Sequence, residues 1–166
     1  MEQEGNPAGQ NHLVWRCGSC HGLITSVEGG WVEWLATESQ QGDVVLKGLR
    51  VVHRFTNSRR CHYDFRQEFE QDGSIVEGLP LERFVGPDGL MLLLFFLAAG
   101  QMPKDDVLEL AKRVQIPGYE QARELLQNAQ HEGRITPAIA DGYYLQVEIQ
   151  ELLRCTSERT NRVRQG

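Results

Sequence analysis

Leu13-Val14-Trp15-Arg16-Cys17-Gly18-Ser19-Cys20-His21-Gly22-Leu23-Ile24 is the stretch on which the reading of the fold turns. Its centre, Cys17 to Cys20, is a C-x2-C knuckle. Its apolar flanks read as short strands entering and leaving a turn. Two sulfurs at this spacing can point at one ion, and Gly18 eases the turn between them. After a strand-rich interval come His53 and, eight residues later, Cys61. Three thiols and an imidazole suit a structural zinc ion, which takes four soft or borderline donors in a tetrahedron.

The interval between the two clusters supports that picture. Gly29-Gly30 signals a turn, and Trp31-Val32-Glu33-Trp34-Leu35 has the aromatic and β-branched content of a strand. Glu38 to Asp43 is a polar loop. Val44-Val45-Leu46-Lys47 and Leu49-Arg50-Val51-Val52-His53 read either as one strand interrupted at Gly48 or as a hairpin. So small a unit holds a modest apolar interior, and domains of that size often need a staple such as a metal. From Asp64 to Pro80 the chain reads as an acidic bridge. Phe65 and Phe69, at i and i+4, suggest a helical turn packed on something.

From Leu81 onward the periodicity is helical. Gly86-Pro87-Asp88-Gly89 introduces an apolar helix over Leu90 to Leu97, closed by Gly100. It reads as a central helix or, in part, as an oligomer interface. Pro103-Lys104-Asp105-Asp106 opens a second helix, with proline and acids where the first turn favours them. A third runs from about Tyr119 to Glu132 and stops at Gly133; Ile135 and Tyr143-Tyr144-Leu145 can pair as a hairpin about the Asp141-Gly142 turn, before a final helix over Val147 to Leu153. Trp31, Trp34, Tyr143 and Tyr144 read as core or hairpin packing rather than a binding surface.

Two resemblances follow from these motifs. Residues 13–63 resemble zinc-ribbon and zinc-knuckle domains through Trp15-Arg16-Cys17-Gly18-Ser19-Cys20, then strands, then a second ligand pair. A ribbon would present a second C-x2-C where this chain offers His53 and Cys61. The resemblance implies Cys17 and Cys20 as ligands, with His53 and Cys61 completing the set. His62 and His21 remain alternatives for a ligand position, although residues adjacent on a strand face opposite ways and so would not bind one ion together. The C-terminal half, three helices followed by a hairpin, resembles a winged-helix domain.

Other uses of the knuckle are disfavoured. Cys17-Gly18-Ser19-Cys20-His21 matches the pattern of c-type haem attachment, but the polar start Met1-Glu2-Gln3-Glu4 has no export pattern. A redox C-x-x-C belongs at a helix N-terminus, and strand signals surround this one. Cys155 reads as a buried or incidental thiol.

The expected fold class is α+β: a lead-in without order over 1–11, a zinc-stapled antiparallel β unit with its acidic bridge over 12–80, a helical winged-helix-like domain over 81–154 and a basic tail over 155–166. A formal charge of −6 opposes indiscriminate binding to nucleic acid or membrane surfaces. The basic tail, with Arg154, Arg159, Arg162 and Arg164 around Glu158, is the exception. The apolar run from Leu90 to Ala99 reaches about half the ~20 residues of a membrane span. No phosphate loop, nucleophile elbow or H-E-x-x-H pair occurs. The expectation is a cytoplasmic, non-enzymatic interaction or regulatory protein with Zn2+ in a structural role, acting on another protein or on itself. Sequence-specific DNA binding through the third helix and zinc-dependent hydrolysis are the alternatives. Against the first, Glu120, Glu124 and Glu132 outnumber Arg123 on that helix.

Overall fold

The computed structural model describes residues 14–55 and 59–164. The expected lead-in over 1–11 lies outside them, as do the side chains of the tail arginines Arg159, Arg162 and Arg164. The architecture is α+β. Strands β1 (Trp15–Arg16) and β2 (Leu23–Ile24) pair antiparallel around the knuckle. Strands β3 (Gly30–Glu38), β4 (Val44–His53) and β5 (Ile75–Pro80) form an antiparallel sheet in the order β4-β3-β5. Helix α1 (Phe65–Asp72) lies between β4 and β5 in the chain, and α2 (Gly86–Ala99), α3 (Lys104–Gln115), α4 (Tyr119–His131) and α5 (Gln146–Arg164) follow.

Val44 to His53 is a single strand, and the interruption at Gly48 is a bulge rather than a hairpin turn. Glu33 faces Arg50 and Leu35 faces Lys47, so one residue of β3 opposes two of β4. Gly48 has φ 66°, a left-handed conformation that glycine adopts without a Cβ penalty. A Cβ there would also crowd the Tyr63 hydroxyl, which donates to the Gly48 carbonyl at 3.0 Å.

Central strand β3 is covered on both faces. Val32, Trp34 and Ala36 alternate on one side, where the Trp34 ring meets Phe96 of α2 edge-on at 5.6 Å. Glu33 and Leu35 point the other way and are buried as well. One apolar cluster joins the knuckle, the sheet and helices α2 and α3, from Trp15 and Cys17 through Val32 and Val51 to Leu93, Phe96 and Leu110. A second cluster, with Tyr119, Ala122, Leu126, Tyr144 and Ile149, sits between α4 and α5. Polar contacts lock α4 to the front of the chain: the Arg16 N–H donates to Glu120 at 2.7 Å, and Arg113 bridges Glu120 and the Arg16 carbonyl. Edge strand β1 thereby finds side-chain partners where a further strand is lacking.

Several expectations are revised. The acidic bridge contains β5, an edge strand ending at Pro80, where a missing N–H is tolerated. Phe65 and Phe69 do sit on a helix, capped by Asp64, but they are 72% and 63% exposed and pack on nothing substantial. The hairpin expected after the third helix is a single bridge between Ala140 and Tyr143. The last helix continues to Arg164, because no glycine or proline follows Leu153 to stop it until Gly166. Helix α2 buries Leu93 and Phe96 but leaves Leu90, Met91, Leu94 and Phe95 exposed, so its apolar character serves the core on one side only. Trp34 and Tyr144 are buried as expected, whereas Tyr143 is exposed.

A Cβ built on Gly89 would collide with the Phe84 backbone at the start of α2, and Gly100 at its end has open space. Gly89→Ala is therefore expected to cost about 3 kcal/mol or more in urea unfolding, and Gly100→Ala, strained only by its φ of 66°, about 1 kcal/mol. Equal costs would contradict the packing described for the turn between Leu81 and Gly89.

Candidate metal centre

Cys17, Cys20, His53 and Cys61 converge, and the four donor atoms they offer all lie within 4.8 Å of one another. Three segments supply them. The knuckle contributes the first two, the end of β4 the imidazole, and the turn Arg59–Cys61 the last sulfur. Cys17 and Cys61 are buried and Cys20 is exposed.

The backbone fixes each donor. Cys17 N–H donates to the Gly22 carbonyl at 2.9 Å and His21 N–H to the Cys17 carbonyl at 3.1 Å, which folds the knuckle back on itself. The Gly18 N–H reaches the Val51 carbonyl at 2.7 Å and docks the knuckle beside β4, two residues before His53. Inside the turn, Ser19 N–H points at the Cys17 sulfur and Gly22 N–H at the Cys20 sulfur, each at 3.4 Å. Such contacts favour the thiolate, the form that binds metal. A Cβ on Gly22 would press on both the Cys20 sulfur and the His53 ring at 3.3 Å, so a larger residue here would push on two of the donors.

The histidine is oriented from behind. His53 Nε2–H donates to the Leu23 carbonyl at 3.3 Å. That contact leaves the lone pair on Nδ1, and Nδ1 lies 3.5 Å from the Cys20 sulfur and 3.6 Å from the Cys61 sulfur. A backbone acceptor on the far nitrogen is the usual way a metal-binding imidazole is held. Bonds of ~2.3 Å to sulfur and ~2.0 Å to nitrogen at tetrahedral angles give an S···N edge of about 3.5 Å, close to both distances.

Two candidate ligands lie elsewhere. His21 is exposed, with φ 59°, and its carbonyl accepts from Arg16. His62 turns away from its neighbour Cys61 and donates through Nδ1 to Glu33 at 2.9 Å. Cys155 is a free, exposed thiol on α5, not a buried one.

Glu33 and Arg50 are the residues that sequence reasoning missed. The Glu33 side chain is wholly buried. Arg50 grips it at 2.7–2.8 Å, and the Tyr63 N–H and the His62 ring occupy its remaining acceptor sites. Arg50 also donates to the Cys61 carbonyl at 3.2 Å and lies on the Tyr63 ring at 3.5 Å. The pair thus holds the segment carrying Cys61 against the sheet. The available signal was a charged residue between two tryptophans on a central strand, facing an arginine across the β3–β4 register.

Burial pushes the Cys17 thiol up, but hydrogen bonds from the Cys20, Ser19 and His53 backbone and from the Cys20 side chain outweigh it, and the pKa falls from 9.0 to about 6. No protein-family model, curated protein or solved structure matches the chain. Chemically, the arrangement is a Cys3His group able to hold one metal ion.

An acid whose pKa drops on folding stabilises the fold fully above its unfolded value, and the gain is lost as the pH falls through the folded one. With chelator present, the melting temperature of the wild type is expected to climb between pH 6 and pH 9 more steeply than that of Cys17→Ser. Parallel curves would show that the Cys17 thiol is not held as described.

Proposed function

We propose that the chain is a non-enzymatic interaction or regulatory protein whose front half is stapled by one structural zinc ion held by Cys17, Cys20, His53 and Cys61. The observation that carries this reading is the closeness of the four donors, with Nδ1 of His53 at tetrahedral edge lengths from two sulfurs. Thiolate-rich donor sets select zinc over magnesium or calcium. Four protein donors also complete a tetrahedron, leaving no position for the water that a hydrolytic zinc would activate. That is why a structural role is preferred to a hydrolase. Cysteines gathered as metal donors rather than joined in disulfides accord with a reducing compartment such as the cytoplasm.

Interaction is assigned to the helical half. Leu90, Met91, Leu94 and Phe95 are between 43% and 67% exposed and line one side of α2. The helix carries no charge after Asp88. Contiguous apolar surface of this kind marks a site for another protein or a second copy of the chain. DNA recognition through α4 gains no support from charge. Its one arginine, Arg123, is engaged by Glu120 at 3.1 Å and lies 4.0 Å from Glu109.

Metal analysis of the purified protein is expected to give about one zinc per chain, reduced by at least half in both Cys17→Ser and His53→Ala. Unchanged zinc in the two variants would reject the ligand set. Sedimentation of the wild type at about 100 μM is expected to show self-association that Phe95→Glu abolishes without loss of zinc. A monomeric wild type would reject self-association through α2.

A further inference from the structure

A second site lies on the opposite side of the Cys61 segment. A cavity of about 400 Å3 opens between β3, β5 and the segment that follows Cys61, and its walls include Trp31, Phe55, His62, Tyr63 and Phe65. Its volume is that of a small-molecule pocket, and its walls are mainly aromatic. Phe65, at the start of α1, is 72% exposed there, a large apolar surface left in water by a helix that buries nothing else.

The polar groups of the cavity are unequal. Glu33 is saturated by Arg50, the Tyr63 N–H and His62. Glu77 accepts from the Trp34 indole at 3.0 Å, and Arg54 leans on the Glu28 carbonyl and on Glu82. The His62 side chain is 8% exposed, and its Nε2 has no hydrogen-bond partner. Among the described residues it is the one buried side-chain nitrogen or oxygen in that condition. Buried polar atoms are nearly always satisfied, so an orphan in a cavity wall points to a missing partner.

The chemistry of that partner follows from the hydrogen bond His62 already makes. A carboxylate only accepts, so the Nδ1 proton of His62 goes to Glu33. Nδ1 is thereby committed to Glu33, and Nε2 is the ring atom left to meet a ligand. A hydroxyl, which both donates and accepts, can meet that nitrogen. Flat aromatic walls favour a flat aromatic body through offset or edge-on ring contacts. Arg50 offsets Glu33, and Arg54 and Glu77 carry opposite charges in the lining, which suits an uncharged ligand.

We propose that this cavity binds a small, uncharged, planar aromatic molecule that makes one hydrogen bond with His62 Nε2, of the phenol class. Trp31, Phe55 and Phe65 supply the ring contacts and His62 the polar selection. The site is separate from the metal centre, although Cys61 and His62 are neighbours in the chain, and it stands whether or not the metal there is zinc.

The test uses the full chain as purified, with p-cresol, toluene and tetramethylammonium as probes followed by NMR. The expected result is a Kd for p-cresol at least about tenfold below that for toluene, with shifts at Trp31 and the His62 ring. His62→Phe is expected to bring the two values within about twofold of one another. Should that variant fail to fold, Phe65→Ala serves instead: it alters only an exposed ring and is expected to weaken p-cresol at least about threefold. Equal affinity for p-cresol and toluene would overturn the proposal, since the cavity would then be merely greasy. So would no p-cresol binding up to about 10 mM, an undiminished affinity in Phe65→Ala, or a preference for tetramethylammonium, which would make it a cation cage.

Discussion

The knuckle between β1 and β2 and the far end of β4 are pressed together at one point, where three sulfurs and an imidazole nitrogen share a space no wider than 4.8 Å. Much of the front half depends on that convergence. Strands of two residues each cannot hold a hairpin in water by their own ladder. What fixes this pair is the Gly18 bond to Val51, the Glu120 and Arg113 contacts to Arg16, and the donor cluster itself. The cluster also carries an electrostatic demand. A thiol held near pKa 6 is an anion at neutral pH, and packing further sulfur donors around an anion favours a cation among them.

A second constraint sits on the other face of the sheet. Glu33 is a buried carboxylate in the middle of a central strand, a placement tolerable only because Arg50, the Tyr63 N–H and His62 saturate it. Such a pair contributes less to net stability than to geometry. Here it governs where the chain goes after β4. Arg50 ties down the Cys61 carbonyl and Glu33 captures the next ring, so the segment lies flat on the sheet with Cys61 turned toward the knuckle. The bulge at Gly48 belongs to the same device, since it gives Tyr63 a carbonyl to bond and space in which to lie over Arg50.

The gathering of Cys17, Cys20, His53 and Cys61 was legible from residue type and spacing because a C-x2-C turn is a local object, and His53 closes a strand whose pattern is plain. His62 stayed open as an alternative ligand, and only its sharing one ion with Cys61 was ruled out in advance, through a different cause. The expected reason was strand alternation, whereas Cys61 ends a short turn and His62 is drawn off by Glu33. Glu33 itself could not be recognised, because an acid alternating with tryptophans reads as the solvent face of a half-buried strand. Its burial depends on a segment thirty residues away. The same blindness affects β5: Ile75-Val76-Glu77-Gly78 is too short and acidic to announce a strand, and pairing with β3 supplies the missing preference. Phe65 and Phe69 misled in the other direction. Their spacing was that of a buried helical face, yet the helix they occupy rests against β5 without burying either ring.

Adjacent residues Cys61 and His62 face opposite ways, one into the donor cluster and the other into the aromatic cavity, and the same Arg50–Glu33 pair orients both. Whatever fixes Cys61 therefore also fixes the back wall of the cavity. A metal ion at the cluster would reduce the freedom of the His62 ring without touching it, because the two side chains share one short, tethered piece of backbone. The staple and the cavity are thus better regarded as two faces of one segment than as unrelated features, and the cost of burying Glu33 is intelligible as the means by which a single strand positions both.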